Sequence, residues 1–135
     1  MTREEIQLLL KDISARLPYL VKVSATDNDG LLENVWDIHL YNTFTEDVNI
    51  IHSTENASRL VDISEIRPYL RPMSSMTEQE SEKFEEFLEL QSEYTTGADI
   101  RFKYDMFDWL NSRHFDYRGL IEKGLAIYAT KLNIY

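Results

Sequence analysis

"ENVWDIHLYNTFTEDVNIIHS" (residues 33–53) is the stretch whose reading decides the fold. Residues 33–42 and 47–53 are rich in β-branched and aromatic side chains, and residues 43–46 can turn between them. The pattern predicts two strands joined as a hairpin. On its N-terminal side, "YLVKVSA" (19–25) predicts a strand, with "TDNDG" (26–30) supplying a tight turn. On its C-terminal side, "RLVDI" (59–63) predicts a shorter fourth strand.

The flanks read as helices. Thr2 and Glu5 form a capping-box signature, and Ile6, Leu9, Leu10 and Ile13 make one helical stripe that Pro18 stops. "RPYLRPMSS" (67–75) holds two of the three prolines and predicts an extended connector. Thr77 and Glu80 form a second capping box, opening a helix to about Tyr94. Its apolar face is Phe84, Phe87, Leu88 and Tyr94, with all seven of its glutamates facing away. "TTGAD" (95–99) breaks that pattern. Residues 100–104 predict a short strand, and 105–113 a helix carrying Met106, Trp109 and Leu110. Asp116 then caps one or two turns that Gly124 closes, and "LAIYATKLNIY" (125–135) is apolar enough to dock.

The expected fold is therefore α+β: an N-terminal helix, an antiparallel meander of three to four strands, then two to three C-terminal helices. At 135 residues one domain is expected, with 1–66 as helix plus meander, 67–76 as proline connector and 77–135 as helical half.

Composition removes several function classes. A hydrophobic fraction of 43% with 12% aromatics argues against disorder. With no cysteine there is no disulfide, thiolate zinc site, iron–sulfur cluster or cysteine nucleophile. No basic leader precedes an apolar run, and no segment approaches the ~18 apolar residues of a membrane span. A cytoplasmic location without a membrane partner is expected, and Asn56-Ala57-Ser58 is read as an accidental glycosylation sequon. The net charge of −10 is unevenly spread: residues 77–94 hold seven acids and one base, and residues 95–135 five acids and six bases. Nothing clusters Lys and Arg as a nucleic-acid backbone requires, so direct nucleic-acid binding is disfavoured. The chain lacks G-x-x-x-x-G-K-[ST], G-x-G-x-x-G and G-x-S-x-G motifs, and no cofactor is expected.

Three constellations carry possible chemistry. "DNDG" (27–30) brushes a calcium-loop pattern, but Ala25 and Trp36 stand where its anchoring carboxylates belong, so a turn is the better reading. If Asn42 pairs with Asp47, then Asp37 lies opposite His52 with His39 two residues along, a set that could hold one metal ion; a register slip of one residue would separate them. "RHFDYRG" (113–119) offers His114 as an acid–base group oriented by Asp116, with Arg113 or Arg118 holding an anion and Tyr117 alongside. The structural reading of the same residues is favoured. Asp116 caps, Phe115 staples onto Leu120, Arg118 pairs with Asp116 or Glu122, and His114 serves the carbonyls of a helix end.

"RPYLRPMSSMTEQE" (67–80), "DWLNSRHFDYRGLIEKGLA" (108–126) and the terminal "LNIY" resemble a family of short proteins of unknown function from gut bacteria and their phages or prophages. The resemblance covers about the second half of the chain. It implies a mobile-element context and a cytoplasmic accessory role, and it transfers no catalytic residue or cofactor. The leading expectation is a non-enzymatic interaction module that binds another protein or itself, through the acidic surface of Glu82, Glu85, Glu86 and Glu89 and the edge of the meander. The alternative is a small-ligand or nucleotide-related binding protein or enzyme, with its site near His114, Asp116, Arg118 and Tyr117.

Overall fold

The computed structural model describes every residue except 29, 32, 43, 94–99 and 130–133. Helix α1 (Arg3–Arg16) begins with the expected capping box, Thr2 and Glu5 exchanging side-chain and backbone hydrogen bonds of 3.1 Å. Leu9 and Ile13 are buried from its stripe, while Ile6 and Leu10 pack at the margin. A short 3₁₀ turn (Leu17–Tyr19) carrying Pro18 ends the helix, and Leu20 adopts a left-handed backbone. The first strand therefore starts later than 19, as β1 (Lys22–Ala25).

The strands β2 (Trp36–Asn42), β3 (Asp47–His52), β4 (Ser58–Asp62), β5 (Ile66–Leu70) and β6 (Ile127–Tyr128) complete one sheet in the order β4-β3-β2-β1-β5-β6. All neighbours are antiparallel except β5 and β6. The sheet has six strands rather than three to four, because two segments join it against local expectation.

The proline segment is the first. Thr26 N–H donates to Glu65 C=O, so by antiparallel alternation Pro68, opposite Val23, turns its missing donor away from β1. On its other side β6 begins pairing only at Tyr69, so no ladder bond is lost to the proline. The second is the docking tail, which contributes two residues as β6.

Between β1 and β2 the connection is longer than a hairpin turn, and it contains the expected turn: Leu31 N–H returns to Asn28 C=O at 3.0 Å, with Gly30 at φ 74°. The Asn34 side chain takes the place of a strand partner there, accepting from Ala25 N–H at 2.8 Å and donating to Ala25 C=O at 2.7 Å. Asn28 and Asn34 both accept from the Trp36 indole at 3.1 Å.

Helix α2 (Glu78–Glu93) opens with the second capping box, between Thr77 and Glu80. Glu80 nevertheless faces inward to Arg71, and Leu88 is exposed. The far end expected at Tyr94, and the break at 95–99, lie outside the described residues. Helix α3 (Ile100–Ser112) includes residues 100–104, so the expected short strand is helical; a short apolar run does not distinguish the two periods. After Asp116 the chain makes turns rather than a helix.

Two apolar clusters result. One joins α1, the sheet, Leu120 and Leu125; the other joins Phe87, Met106, Leu110 and Phe115 with Trp109 and Tyr117 at its margin. Phe115 and Leu120 are both fully buried but fall in different clusters rather than in one staple. Among the described residues no helix is long and apolar enough to cross a membrane.

Candidate functional site

Residues 112–118 lie where α1, α3, β5 and the chain's end meet. Helix α3 ends in a pair of C-terminal bonds, from Phe115 N–H to Leu110 C=O and from His114 N–H to Asn111 C=O, both 3.0 Å. This closing arrangement places a left-handed residue just past the helix, usually glycine. Here the position belongs to His114, at φ 62°. A non-glycine residue held there carries backbone strain, which surrounding contacts must offset.

Those contacts are visible. The His114 carbonyl accepts from Arg71 N–H at 2.8 Å, and Asp116 N–H donates to Arg71 C=O at 2.8 Å, which extends β5 by one bridge. The His114 ring stacks on Tyr135, with centroids 3.5 Å apart and planes within 11°. The residue is 8% exposed, and its Nδ1 is buried without a hydrogen-bond partner. Burial, and then the charges of Arg16, Arg71 and Lys22, push its pKa down to about 4. The imidazole is therefore neutral at pH 7.

The other residues of this constellation do not converge on it. Both Asp116 oxygens accept backbone amides, from Leu120 at 2.8 Å and Ile121 at 2.9 Å, so Asp116 caps and does not orient His114. Gly124, at φ 73°, closes the same turn as expected: Leu125 N–H returns to Leu120 C=O at 2.9 Å. Tyr117 donates its hydroxyl to Asn111 at 2.8 Å. Arg118 pairs with neither Asp116 nor Glu122; its Nε lies 3.3 Å from Asp12, and its guanidinium covers the Tyr117 ring.

Asp12 and Arg16 were not singled out by the sequence, where an i, i+4 acid–base pair reads as a solvated helix face. Both side chains are fully buried. Arg16 grips the Asp12 carboxylate with two bonds, of 2.8 and 3.0 Å, and donates to Phe115 C=O at 2.6 Å. The pair thus ties α1 to the backbone beside His114. Arg16 Nη1 has no hydrogen-bond partner.

Two clefts flank the His114–Tyr135 stack. One, of about 430 Å³, is bordered by Arg71, Arg113 and Ala129. The other, of about 600 Å³, is bordered by Tyr19, Lys22 and Asp37.

The metal-ligand set is taken apart by a bulge. Asn42 does pair with Asp47, but the register shifts between Ile38 and Leu40, so Asp37 faces Ile51 and His52 faces Trp36. His52 is buried edge-on against Trp36; its Nε2 donates to Glu33 C=O at 2.6 Å, and its Nδ1 accepts from the amides of Thr54 and Glu55. Asp37 turns to the opposite face and pairs with Lys22 at 2.7 Å, while His39 is exposed at the bulge. Among the described residues no group of three or more metal-ligating side chains comes together.

Glu82, Glu85, Glu86 and Glu89 are all exposed on α2, with Lys83 3.8 Å from Glu86. A further surface was missed. On the side of β2–β3–β4 away from α1, the pairing aligns Leu40, Asn49 and Leu60 in one row and Asp37, Ile51 and Ser58 in the next. Leu40 and Leu60 are 65% and 67% exposed, and Phe44, in the β2–β3 turn, is 98% exposed. Strand alternation signalled Leu60, which is out of phase with the buried Val61; Leu40 shares the phase of the buried Trp36 and reaches the open face only through the bulge.

No family model, curated protein or solved structure matches this chain. What it can do is set by its own residues and their geometry.

Proposed function

We propose that the protein is a non-enzymatic interaction module whose docking face is the open side of the β2–β3–β4 meander. The observation that carries this reading is the exposure of Leu40 and Leu60 on either side of Asn49, with Ile51 in the next row and Phe44 exposed in the adjoining turn, and with no described element over that face. Apolar side chains gathered on one exposed face, within a polar rim, favour burial against a partner. β4 also ends the sheet on that side, leaving its outer backbone edge open to pairing.

The rim points to the partner's chemistry. Asp47 and Asp62 sit directly opposite each other on the same face, and among the described residues neither has a basic partner within ion-pair distance. Ser64 donates its N–H and hydroxyl to Asp62 at 2.9 and 2.6 Å, which keeps that carboxylate charged, so the pair offers negative charge to a basic partner. The fitting occupant is another protein with an apolar centre and a basic rim. A second copy fits less well, because the net charge of −10 and the aspartates would be brought together. The mobile-element context implied by the resemblance of residues 67–80 and 108–126 agrees with such an accessory role.

The acidic surface of α2 is the competing face, and one capture experiment separates the two. Wild type, Leu40→Lys/Leu60→Lys and a Glu82, Glu85, Glu86, Glu89→Lys variant are used as baits in lysate of the organism that encodes the chain. We expect a basic protein retained by wild type and the helix variant but lost from the sheet variant, with thermal unfolding unchanged. Retention by the sheet variant, or loss only from the helix variant, contradicts the assignment. Self-capture would identify a second copy as the occupant and overturn the basic partner.

A further inference from the structure

The cleft between the end of α3 and the chain's last residue has a charge opposite to that of the whole molecule. Its described lining contains two arginines, Arg71 and Arg113, with His114 and no acidic residue, in a protein of net charge −10. Arg71 is held back from it, gripped by Glu80 through bonds of 2.7 and 2.9 Å. Arg113 is exposed, and among the described residues its side chain has no ion-pair or hydrogen-bond partner.

The terminal carbonyls of α3 would ordinarily repel an anion here. Those carbonyls are already occupied. Trp109 C=O accepts from Arg113 N–H and the Ser112 hydroxyl, Leu110 C=O from Phe115 N–H, and Asn111 C=O from His114 N–H. What remains facing the cleft is donor-rich.

His114 supplies the second, independent observation. It is more than nine-tenths buried, and its Nδ1 has no hydrogen-bond partner among the described residues. A buried imidazole nitrogen left unbonded is uncommon. Its left-handed backbone is held at a conformational cost, and the Tyr135 stack fixes the plane of the ring. Ala129 and Tyr135 also line the cleft and offer apolar contact.

We propose that this cleft binds a small oxyanion, a phosphate or a carboxylate, through the guanidinium of Arg113 and the free imidazole nitrogen of His114. Arg113 provides the charge and a planar fork of donors, matched to two oxygens of the anion. Neutral His114 donates one N–H. Arg71, Arg16 and Lys22 lie near the imidazole but are held by Glu80, Asp12 and Asp37, so the charge offered to the ligand is that of Arg113. This site is separate from the open sheet face, so the two assignments stand or fall independently.

The test is a titration of the full-length protein with inorganic phosphate, read by the His114 ring Cε1–H resonance, with sodium chloride at matched ionic strength as control. Saturable movement of that resonance with phosphate, absent with chloride, is expected. Arg113→Gln, an exposed substitution that leaves the fold intact, should weaken binding at least tenfold. His114→Asn keeps a residue that tolerates the left-handed backbone and should also weaken binding, read there by calorimetry. Bound phosphate should raise the His114 pKa from about 4, because it favours the protonated ring. Acetate competing with phosphate places carboxylates in the ligand class, and no competition restricts it to phosphate. A non-saturating response, an equal response to chloride, or binding unchanged in Arg113→Gln overturns the proposal.

Discussion

At the scale of single residues, His114 is where local rules are broken, and its consequences are measurable. Glycine is the residue that the end of α3 calls for at φ 62°. His114→Ala keeps the strain and loses the ring stack, whereas His114→Gly loses the stack but relieves the strain. Urea unfolding should therefore find the alanine variant less stable than the glycine variant by about 1 kcal/mol. Equal stabilities would mean the backbone there is unstrained. The depressed pKa has a sign that follows directly. Between the ordinary histidine value of 6.5 and about 4, the unfolded chain binds a proton that the folded chain does not. Stability should fall as pH drops through that window, by up to about 3 kcal/mol, and level off below it. His114→Asn should flatten this part of the profile; an unchanged slope would contradict the buried, neutral imidazole. The cluster around His114 was legible as a string of residues with structural roles. Its strain was not, because no local pattern announces a left-handed histidine.

At the scale of elements, capping and periodicity were the most legible features. Thr2 with Glu5, Thr77 with Glu80, and the Ile6–Leu9–Leu10–Ile13 stripe appear as expected. What the sequence hid was pairing with distant partners. Pro68 reads as a strand breaker until β1 lies on the side that needs no donor from it, and the His39 bulge shifts a hairpin whose turn-proximal pair was anticipated. Glu80 shows the same limit, since its capping role was readable and its grip on Arg71 was not. The Arg71 bond, ahead of the Thr77 contacts, pushes the Glu80 carboxyl down to about 2. Glu80→Ala removes the cap and leaves Arg71 unpaired, so a loss of roughly 2 kcal/mol is expected by chemical denaturation. Glu85→Ala, fully outside that network, should change stability by less than about 0.5 kcal/mol. Because the Glu80 pKa is depressed, its contribution is present above its ordinary 4.5 and is lost as pH falls toward 2, a window below that of His114.

At the scale of the whole molecule, the buried Asp12–Arg16 pair joins the N-terminal helix to the segment that links the two apolar clusters. Asp12→Ala strands the Arg16 charge in the interior, and a loss of about 3–5 kcal/mol is expected, with the chain still unfolding in one cooperative step. Separate transitions for the two clusters would show that the pair does not couple them. The fold class was legible because hydrophobic period and turn residues are local properties. The docking face was not, because exposure on one side of a sheet depends on what the rest of the chain leaves uncovered. The central claim is that this open side of β2–β3–β4 meets a partner. Amide hydrogen exchange, compared for the protein alone and bound to the captured partner, tests it most directly. Added protection is predicted across residues 36–62, strongest along β4 at the sheet's edge, with α2 unchanged. Protection confined to the Glu82–Glu89 surface of α2, with the meander unaffected, would contradict it.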